Sequence, residues 1–202
     1  MGELTAEMIV DGLVPADPQI APDGRHVAFV VAPLGRREEH PQSAIWLART
    51  DGSAPPRQIT AGAANDRTPC WSPDGEMLYF LSDRSERGKA QLYCLPLGGG
   101  EAVALTTWKP QIEAFVPLPD GRTIALLAVD PPSEEDERRK RERDDRCVFG
   151  ERWPCARLRL LDLATREVRT IDHPCLRERH IVEVASSLDG ATSTTCRSRT
   201  HG

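Results

Sequence analysis

The side chains that could perform acid–base or metal chemistry are scattered along this chain. No histidine has the helical spacing of a zinc site, in which two histidines four residues apart enclose a glutamate. The five are His26, His40, His173, His180 and His201. We interpret each as a loop or strand-surface residue. We predict no catalytic residue, no cofactor-binding residue and no metal ligand in this chain.

Aspartates that precede glycine offer carboxylates that could bind calcium. They are Asp23, Asp74, Asp120 and Asp189. Because they belong to separate sequence repeats, they cannot converge on one ion as the ligands of an EF-hand loop do, and we expect them to cap turns. The run Gly98-Gly99-Gly100 is also interpreted as a turn, because no lysine-serine or lysine-threonine pair follows it as in a phosphate loop.

Six cysteines and four tryptophans are the other candidates. The cysteines are at positions 70, 94, 147, 155, 175 and 196, and no pair has C-x-x-C spacing. We expect Cys70 and Cys94, which lie in predicted strands, to be small buried apolar residues. Disulfides are not expected, since the sequence begins without a signal peptide and so suggests a reducing, cytoplasmic location. The tryptophans, Trp46, Trp71, Trp108 and Trp153, are interpreted as packing between repeats.

The element that would position these residues is a hairpin centred on Ser72-Pro73-Asp74-Gly75. Proline presets φ at the first central position of a turn, and glycine accepts a positive φ. The pattern predicts a type I turn closed by a glycine bulge. The strand Met77–Leu81 is apolar on both faces, so both must be covered.

This hairpin recurs along the chain. The turn aspartates are separated by 51, 46 and 69 residues, and the last interval contains a charged insertion of roughly 20 residues. A period of about 40–50 residues with several short strands per unit is typical of a β-propeller. We predict an all-β, partial and open propeller of about three complete four-stranded blades plus an incomplete fourth.

The predicted organisation is a lead-in, a propeller and a tail. Residues 1–17 are the lead-in, with a short helix over Thr5–Gly12, and residues 18–190 are the propeller. Its blades are 18–62, 63–108, 109–173 with the charged insertion 131–151, and a partial unit 178–190. The fourth strand of each blade is polar, as befits an outer edge. Residues 191–202 lack an apolar strand and are predicted to be a disordered tail.

Acidic and basic residues alternate in blocks within the insertion, from Glu134 to Asp145. Two interpretations stay open: an arm that binds a partner, or a solvated loop or exposed helix carrying ion pairs four residues apart, which we favour. The net charge of −5 argues against nucleic acid and membrane surfaces as partners. No window approaches the 18 apolar residues of a membrane span.

The repeats Ile20–Val31 and Trp71–Arg84, together with Gln91–Gly99, resemble TolB-type propeller repeats. The order of features, including the insertion after Asp130-Pro131-Pro132, also resembles the N-terminal propeller of prolyl oligopeptidase family serine peptidases. The likeness is greatest to the acylaminoacyl-peptidase and dipeptidyl-aminopeptidase branch. That resemblance implies a gate for peptide substrates in front of an α/β-hydrolase domain with a Ser-Asp-His triad.

The family's nucleophile lies in a G-x-S-x-G elbow, and this sequence contains no such pattern. No catalytic residue is therefore carried over from the resemblance. Two hypotheses follow. The first is the propeller fragment of a peptidase, which acts on peptides only through a hydrolase domain missing from this chain and is inactive alone. The second is a stand-alone TolB-like module that binds another protein.

Overall fold

The computed structural model describes residues 12–35, 40–134, 138, 141, 156–174, 176, 180–185 and 197–199. These residues form three four-stranded antiparallel sheets and one strand pair. The predicted fold class is confirmed: the chain is an all-β, partial propeller with three complete blades, whereas closed propellers have about 4–8. The chain divides into two compact units, Met1–Thr106 and Thr107–Gly202.

The first unit contains two blades, and the strands of each pair in the order of the sequence. The first blade consists of β1 (Leu13–Ile20), β2 (His26–Pro33), β3 (Ala44–Arg49) and β4 (Arg57–Gln58). The second blade consists of β5 (Asp66–Trp71), β6 (Met77–Ser82), β7 (Gln91–Pro96) and β8 (Val103–Ala104). Simple up-and-down hairpins therefore build both blades.

The second unit contains the third blade and the strand pair. The third blade consists of β9 (Ile112–Pro117), β10 (Thr123–Val129), β11 (Ala156–Asp162) and β12 (Val168–Thr170). The pair consists of β13 (His180–Glu183) and β14 (Arg197–Arg199). The bounds of β9 and β10 equal the predicted ones, because a proline-aspartate-glycine turn separates two short apolar runs.

The predicted hairpin turn is confirmed in all three blades. In the second blade the Gly75 N–H donates to the Ser72 carbonyl at 2.9 Å, and Gly75 has a φ of 76°. The corresponding glycines of the other two blades, Gly24 and Gly121, have φ of 68° and 65°. Only glycine adopts this backbone conformation without strain, which explains why the turn chemistry is repeated.

Burial is greatest in the two middle strands of the blades and low in the outer strands. Every residue of β6 and β7 except their outermost Met77 and Pro96 is buried, whereas both residues of β4 and of β8 are exposed. The core of the first unit packs residues of the first blade, such as Ile45 and Leu47, against Trp71 and Phe80 of the second. The short outer strands β4 and β8 are therefore confirmed as edges that face solvent, but β8, which consists of Val103 and Ala104, is not polar as predicted.

The inner strand β1 starts within residues 1–17, which were predicted to be a lead-in ahead of the propeller. It begins at Leu13 and accommodates Pro18 by a bulge between Ala16 and Gln19, where Asp17 has a φ of 49°. The strand β5 repeats this device between Arg67 and Cys70, with Thr68 at a φ of 54° before Pro69. A bulge explains how a proline, which has no N–H, fits into an inner strand.

The described end of the chain differs from our expectation at one place. Arg197–Arg199 lies in the stretch predicted to be a disordered tail, yet it forms β14 and pairs with β13. Backbone pairing does not need apolar side chains, and their absence was the basis of the expectation. The rest of 191–202, the turn at Asp189 and the helix predicted over Thr5–Gly12, apart from Gly12 itself, lie outside the described residues, so those predictions stand untested.

Candidate functional site

The turn aspartates use their carboxylates to hold the backbone. Asp74 Oδ1 accepts the Glu76 N–H at 3.0 Å and the Ser72 hydroxyl at 2.5 Å. These bonds, the one from Ser72 first, hold the pKa of Asp74 below its usual value. Asp23 and Asp120 accept backbone N–H groups in the same way, at 2.8 and 2.9 Å. The described turn aspartates are thus turn caps, as the sequence predicted.

The histidines do not assemble a site in the described part of the chain. His26 lies at the start of β2, where its Nδ1 is 3.6 Å from Asp23 Oδ2 in a half-exposed pair. His40 and His173 are exposed in loops, and His180 belongs to β13. Among the described residues no three His, Cys, Asp or Glu side chains are grouped to hold a metal ion. His201 lies outside them.

The clearest polar cluster sits where β5 begins and β6 ends. Asp66 is 1% exposed and accepts the Ser82 hydroxyl at 2.6 Å. Arg84 Nη2 reaches both oxygens of Asp66 at 3.0 Å, and Arg84 Nε donates to Ser82 Oγ at 2.9 Å. The Arg84 guanidinium also lies 4.8 Å from the ring centre of Tyr93. The Arg84 guanidinium therefore neutralises the buried Asp66 carboxylate and also makes cation–π contacts with aromatic rings.

This cluster cannot perform nucleophilic catalysis. A catalytic triad places a histidine between serine and carboxylate, whereas Ser82 donates directly to Asp66. Ser82 is also fully buried and so cannot meet a substrate. The third member is Arg84, and an arginine cannot accept a proton at neutral pH. The arrangement instead fixes the connection between β6 and β7 to the start of β5. Sequence reasoning missed it; the only signal was two charged residues flanking otherwise apolar strands.

The same connection is held at a second carboxylate, Asp83. Its Oδ1 accepts the Asn65 N–H at 2.9 Å, and its Oδ2 accepts the Gly88 N–H at 3.0 Å. Burial alone would raise the pKa of Asp83, but these two bonds and the neighbouring Arg87 outweigh it and hold the pKa below its usual value. The loop after β6 is thus preorganised rather than loose.

The third blade carries a related cluster at the matching edge. Arg159, only 3% exposed, contacts Asp130 through Nη2, and its guanidinium lies 4.3 Å from the Trp108 ring centre. Trp108 Nε1 donates to the Val129 carbonyl at 2.9 Å. The alternating pattern of β11 suggests a solvent-facing Arg159, so the sequence did not reveal its burial. The cluster ties strands together and presents no reactive group.

The other candidates of the sequence also have structural positions. Trp71 is 8% exposed and its Nε1 donates to the Gln19 carbonyl in the neighbouring blade at 2.9 Å, which confirms packing between repeats for this residue. Cys94 is buried, and Cys70 is partly buried, which raises the pKa of its thiol. The two are not joined in a disulfide. Trp153 and the other four cysteines lie outside the described residues.

Three blades, each a four-strand meander with a proline-aspartate-glycine turn, define a propeller domain. The part of the chain that the structure describes contains no recognisable active centre. A family model described as the TolB beta propeller domain matches residues 8–139. The chain therefore belongs to the TolB β-propeller domain family.

A curated relative links this propeller to peptidases. The chain is 36% identical over 144 residues to the uncharacterized peptidase YuxL of Bacillus subtilis. That stretch covers 70% of this chain and 21% of the relative. The resemblance to peptidase propellers is thereby confirmed, and the chain spans about a fifth of the length of this relative.

Solved structures show the same fold. The Pyrococcus horikoshii acylaminoacyl peptidase superposes with a TM-score of 0.62 at 15% identity, covering 89% of this chain and 28% of that one. The propeller domain of the Trilobed protease from Pyrococcus furiosus, described as having an open velcro topology, gives a TM-score of 0.55 at 17% identity. It covers 85% of this chain and 45% of that one.

Helices long and apolar enough to cross a membrane are absent from the residues described.

Proposed function

We propose that this chain is the propeller portion of a serine peptidase of the prolyl oligopeptidase family. In this role it admits and orients peptides for an α/β-hydrolase domain that its own 202 residues do not supply. The observation that carries the proposal is the 36% identity to a peptidase of which this chain matches only 21%. The superposition on an acylaminoacyl peptidase supports it at the level of the fold.

The chemistry of the chain is consistent with a gating role. Acyl transfer needs a nucleophile, an orienting base and an oxyanion hole in one place. The described polar clusters instead pair carboxylates with arginines and backbone N–H groups, as at Asp66 and Asp83. We therefore propose that the isolated chain hydrolyses no peptide or acyl-peptide bond.

The first experiment measures activity of the isolated chain. Purified protein is incubated with acyl-alanine and Xaa-Pro anilides, and serine labelling is followed with a fluorophosphonate. We expect neither turnover nor labelling. Turnover that persists through purification, together with a labelled serine, would contradict the proposal.

The second experiment concerns the natural gene. An α/β-hydrolase reading frame beyond codon 202, in any frame, supports the peptidase role. If one is present, the joined protein is compared with its hydrolase part alone and with a Ser→Ala variant of its elbow serine. We expect the propeller to restrict cleavage to short peptides, while the hydrolase alone also attacks long unfolded chains. Identical size limits for the two proteins would refute gating.

The alternative is a stand-alone TolB-like module that binds another protein. The match to the TolB domain family favours it, and so do the exposed apolar side chains of β1, such as Leu13 and Ile20. The absence of a hydrolase frame beyond codon 202, combined with a stable one-to-one complex with a defined protein partner, would establish this alternative over the first.

We also propose a cytoplasmic location. The support is the strand position of Cys70 and Cys94, which are not joined in a disulfide. Fusions of the natural gene to alkaline phosphatase and to a fluorescent protein test it. We expect fluorescence without phosphatase activity; the reverse would place the protein outside the cytoplasm.

A further inference from the structure

The repeats allow the residue at the start of the charged insertion to be compared with the equivalent residue of the second blade. Asp130 follows the turn residue Asp120 by ten residues, as Arg84 follows Asp74. In the second blade Arg84 contacts Tyr93, which pairs with Phe80. In the third blade Asp130 contacts Arg159, which pairs with Leu126 at the same register. In both blades the residue ten positions after the turn aspartate therefore contacts the same position of the third strand.

In the third blade this fastening joins the two ends of the insertion. Val129 and Ala156 are paired across β10 and β11, so the residues that flank the insertion are neighbours at the end of this strand pair. Asp130 Oδ2 lies 2.6 Å from Arg157 Nε. Asp130 Oδ1 contacts Arg159 Nη2. Asp130, which directly follows β10, is thus linked by ion pairs to two residues within β11.

Trp108 contacts residues on both strands at the base of the insertion. Its ring carries the Arg159 guanidinium at 4.3 Å, and its Nε1 binds the Val129 carbonyl at 2.9 Å. Arg159 is 3% exposed and the Asp130 side chain is 51% exposed, so solvent screens their interaction only in part. Removing one partner of such a pair leaves an uncompensated buried charge. All of these contacts are made by residues outside 131–155.

We infer that four residues form a clamp that holds β10 and β11 together at the base of residues 131–155. They are Trp108, Asp130, Arg157 and Arg159. The blade then keeps its fold and stability when the insertion is cut or replaced. The cost of closing a loop grows only slowly with its length, so the length of the insertion is a minor term once its ends are fixed. Because of the clamp, the sequence and length of residues 131–155 can change while the third blade stays folded.

The test replaces residues 131–155 with the five residues that occupy the equivalent place in the second blade, Ser85–Lys89. Thermal midpoints of the full chain and of this variant are compared, each with and without Asp130→Ala. We expect the replacement to leave the midpoint within about 2 °C, since loop length contributes little. We expect Asp130→Ala to lower it by at least about 4 °C in both backgrounds. Glu134→Ala, an exposed change within the insertion, is the control and should have no effect.

A second measurement does not depend on a variant that folds. Trypsin is added to the native protein, where Arg138 and Arg141 are exposed. We expect cleavage there to leave the thermal midpoint unchanged and the two pieces to elute together in gel filtration. The inference is overturned if the pieces separate, or if the loop replacement lowers the midpoint as much as Asp130→Ala does.

Discussion

The indole Nε1 of Trp71 donates a hydrogen bond to the carbonyl oxygen of Gln19 at 2.9 Å, which joins the inner strands of two neighbouring blades across 52 residues of sequence. Trp71 also belongs to the apolar core shared by these blades. The Trp71 side chain thus packs in the apolar core between the two blades and also donates a hydrogen bond from one blade to the backbone of the other.

Trp71→Phe should therefore destabilise the first unit by about 1–3 kcal/mol, because the Gln19 carbonyl loses its donor in a partly buried place. Equilibrium unfolding in urea measures the change. Trp46→Phe is the matched control: Trp46 lies on β3 opposite Phe29 and is only half-buried, so its loss of the indole N–H should cost less. Equal losses for the two variants would show that the bond to Gln19 is not a significant tie between the blades.

Gly75 tests the turn that repeats through the chain. Gly75→Val should destabilise the second blade by about 1–3 kcal/mol, because a β-branched residue is strained at a φ of 76°. Space is not the obstacle, since an added Cβ would approach only Pro22, with Cδ at 3.6 Å. Glu76→Val, at the neighbouring position, serves as the control. Urea midpoints that shift equally in both variants would contradict the turn assignment.

Asp74 predicts how stability depends on pH. The hydrogen bonds from Ser72 and Glu76 lower the pKa of the folded carboxyl below the ordinary value of 3.8. A lowered pKa means that Asp74 contributes stability above pH 3.8, and that this contribution is lost as the pH falls through the folded pKa. The wild-type urea midpoint should therefore fall more steeply between about pH 5 and pH 2 than that of Asp74→Asn.

The asparagine side chain introduced by Asp74→Asn keeps an acceptor for the Glu76 N–H but carries no charge, so the comparison isolates the ionised carboxylate. Asp23 and Asp120 also have lowered pKa values, and some pH dependence should persist in the variant. Parallel midpoint curves for the two proteins over this range would refute the role assigned to Asp74.

Much of the fold could be predicted from sequence because its signals are local. A proline-aspartate-glycine turn between apolar runs specifies a hairpin at Ser72–Gly75 and repeats at a propeller spacing. The start of β1 was missed because Pro15 and Pro18 favoured an extended lead-in ahead of the first repeat. In the structure a bulge at Asp17 accommodates Pro18, and Pro15 pairs in register with Val31. A bulge is set by pairing with a partner strand, which a single segment of sequence does not show.

The polar clusters could not be predicted because they depend on contacts between distant segments. Arg159 stands between leucines in an alternating strand, the pattern of an exposed side chain, yet Trp108 and Asp130 bury it. Asp66 meets Arg84 only because β5 and β6 pair, 18 residues apart in sequence. The hairpin signal pairs β5 with β6 but does not give the register beyond the bulge between Arg67 and Cys70, and no hairpin signal brings Trp108 to Arg159.

The inner strand of the first blade exposes more apolar surface than its equivalents. All eight residues of β1 are exposed, and Leu13 and Ile20 are 65% and 67% exposed. In β5 and β9, by contrast, the first and fourth residues are buried. A long apolar strand at the edge of a sheet favours association with other chains.

The isolated protein should accordingly self-associate as its concentration rises, and Leu13→Lys with Ile20→Lys should suppress this by placing charge on the exposed strand. Light scattering coupled to gel filtration measures the mass over a range of concentrations. Val103→Lys is the matched control, because Val103 is also exposed, at 52%, but lies on the two-residue strand β8. We expect the control to associate like the wild type, since a strand of two residues offers little edge for pairing. If the double variant and the control behave alike, or if the wild type stays monomeric throughout, β1 is not the surface that drives association.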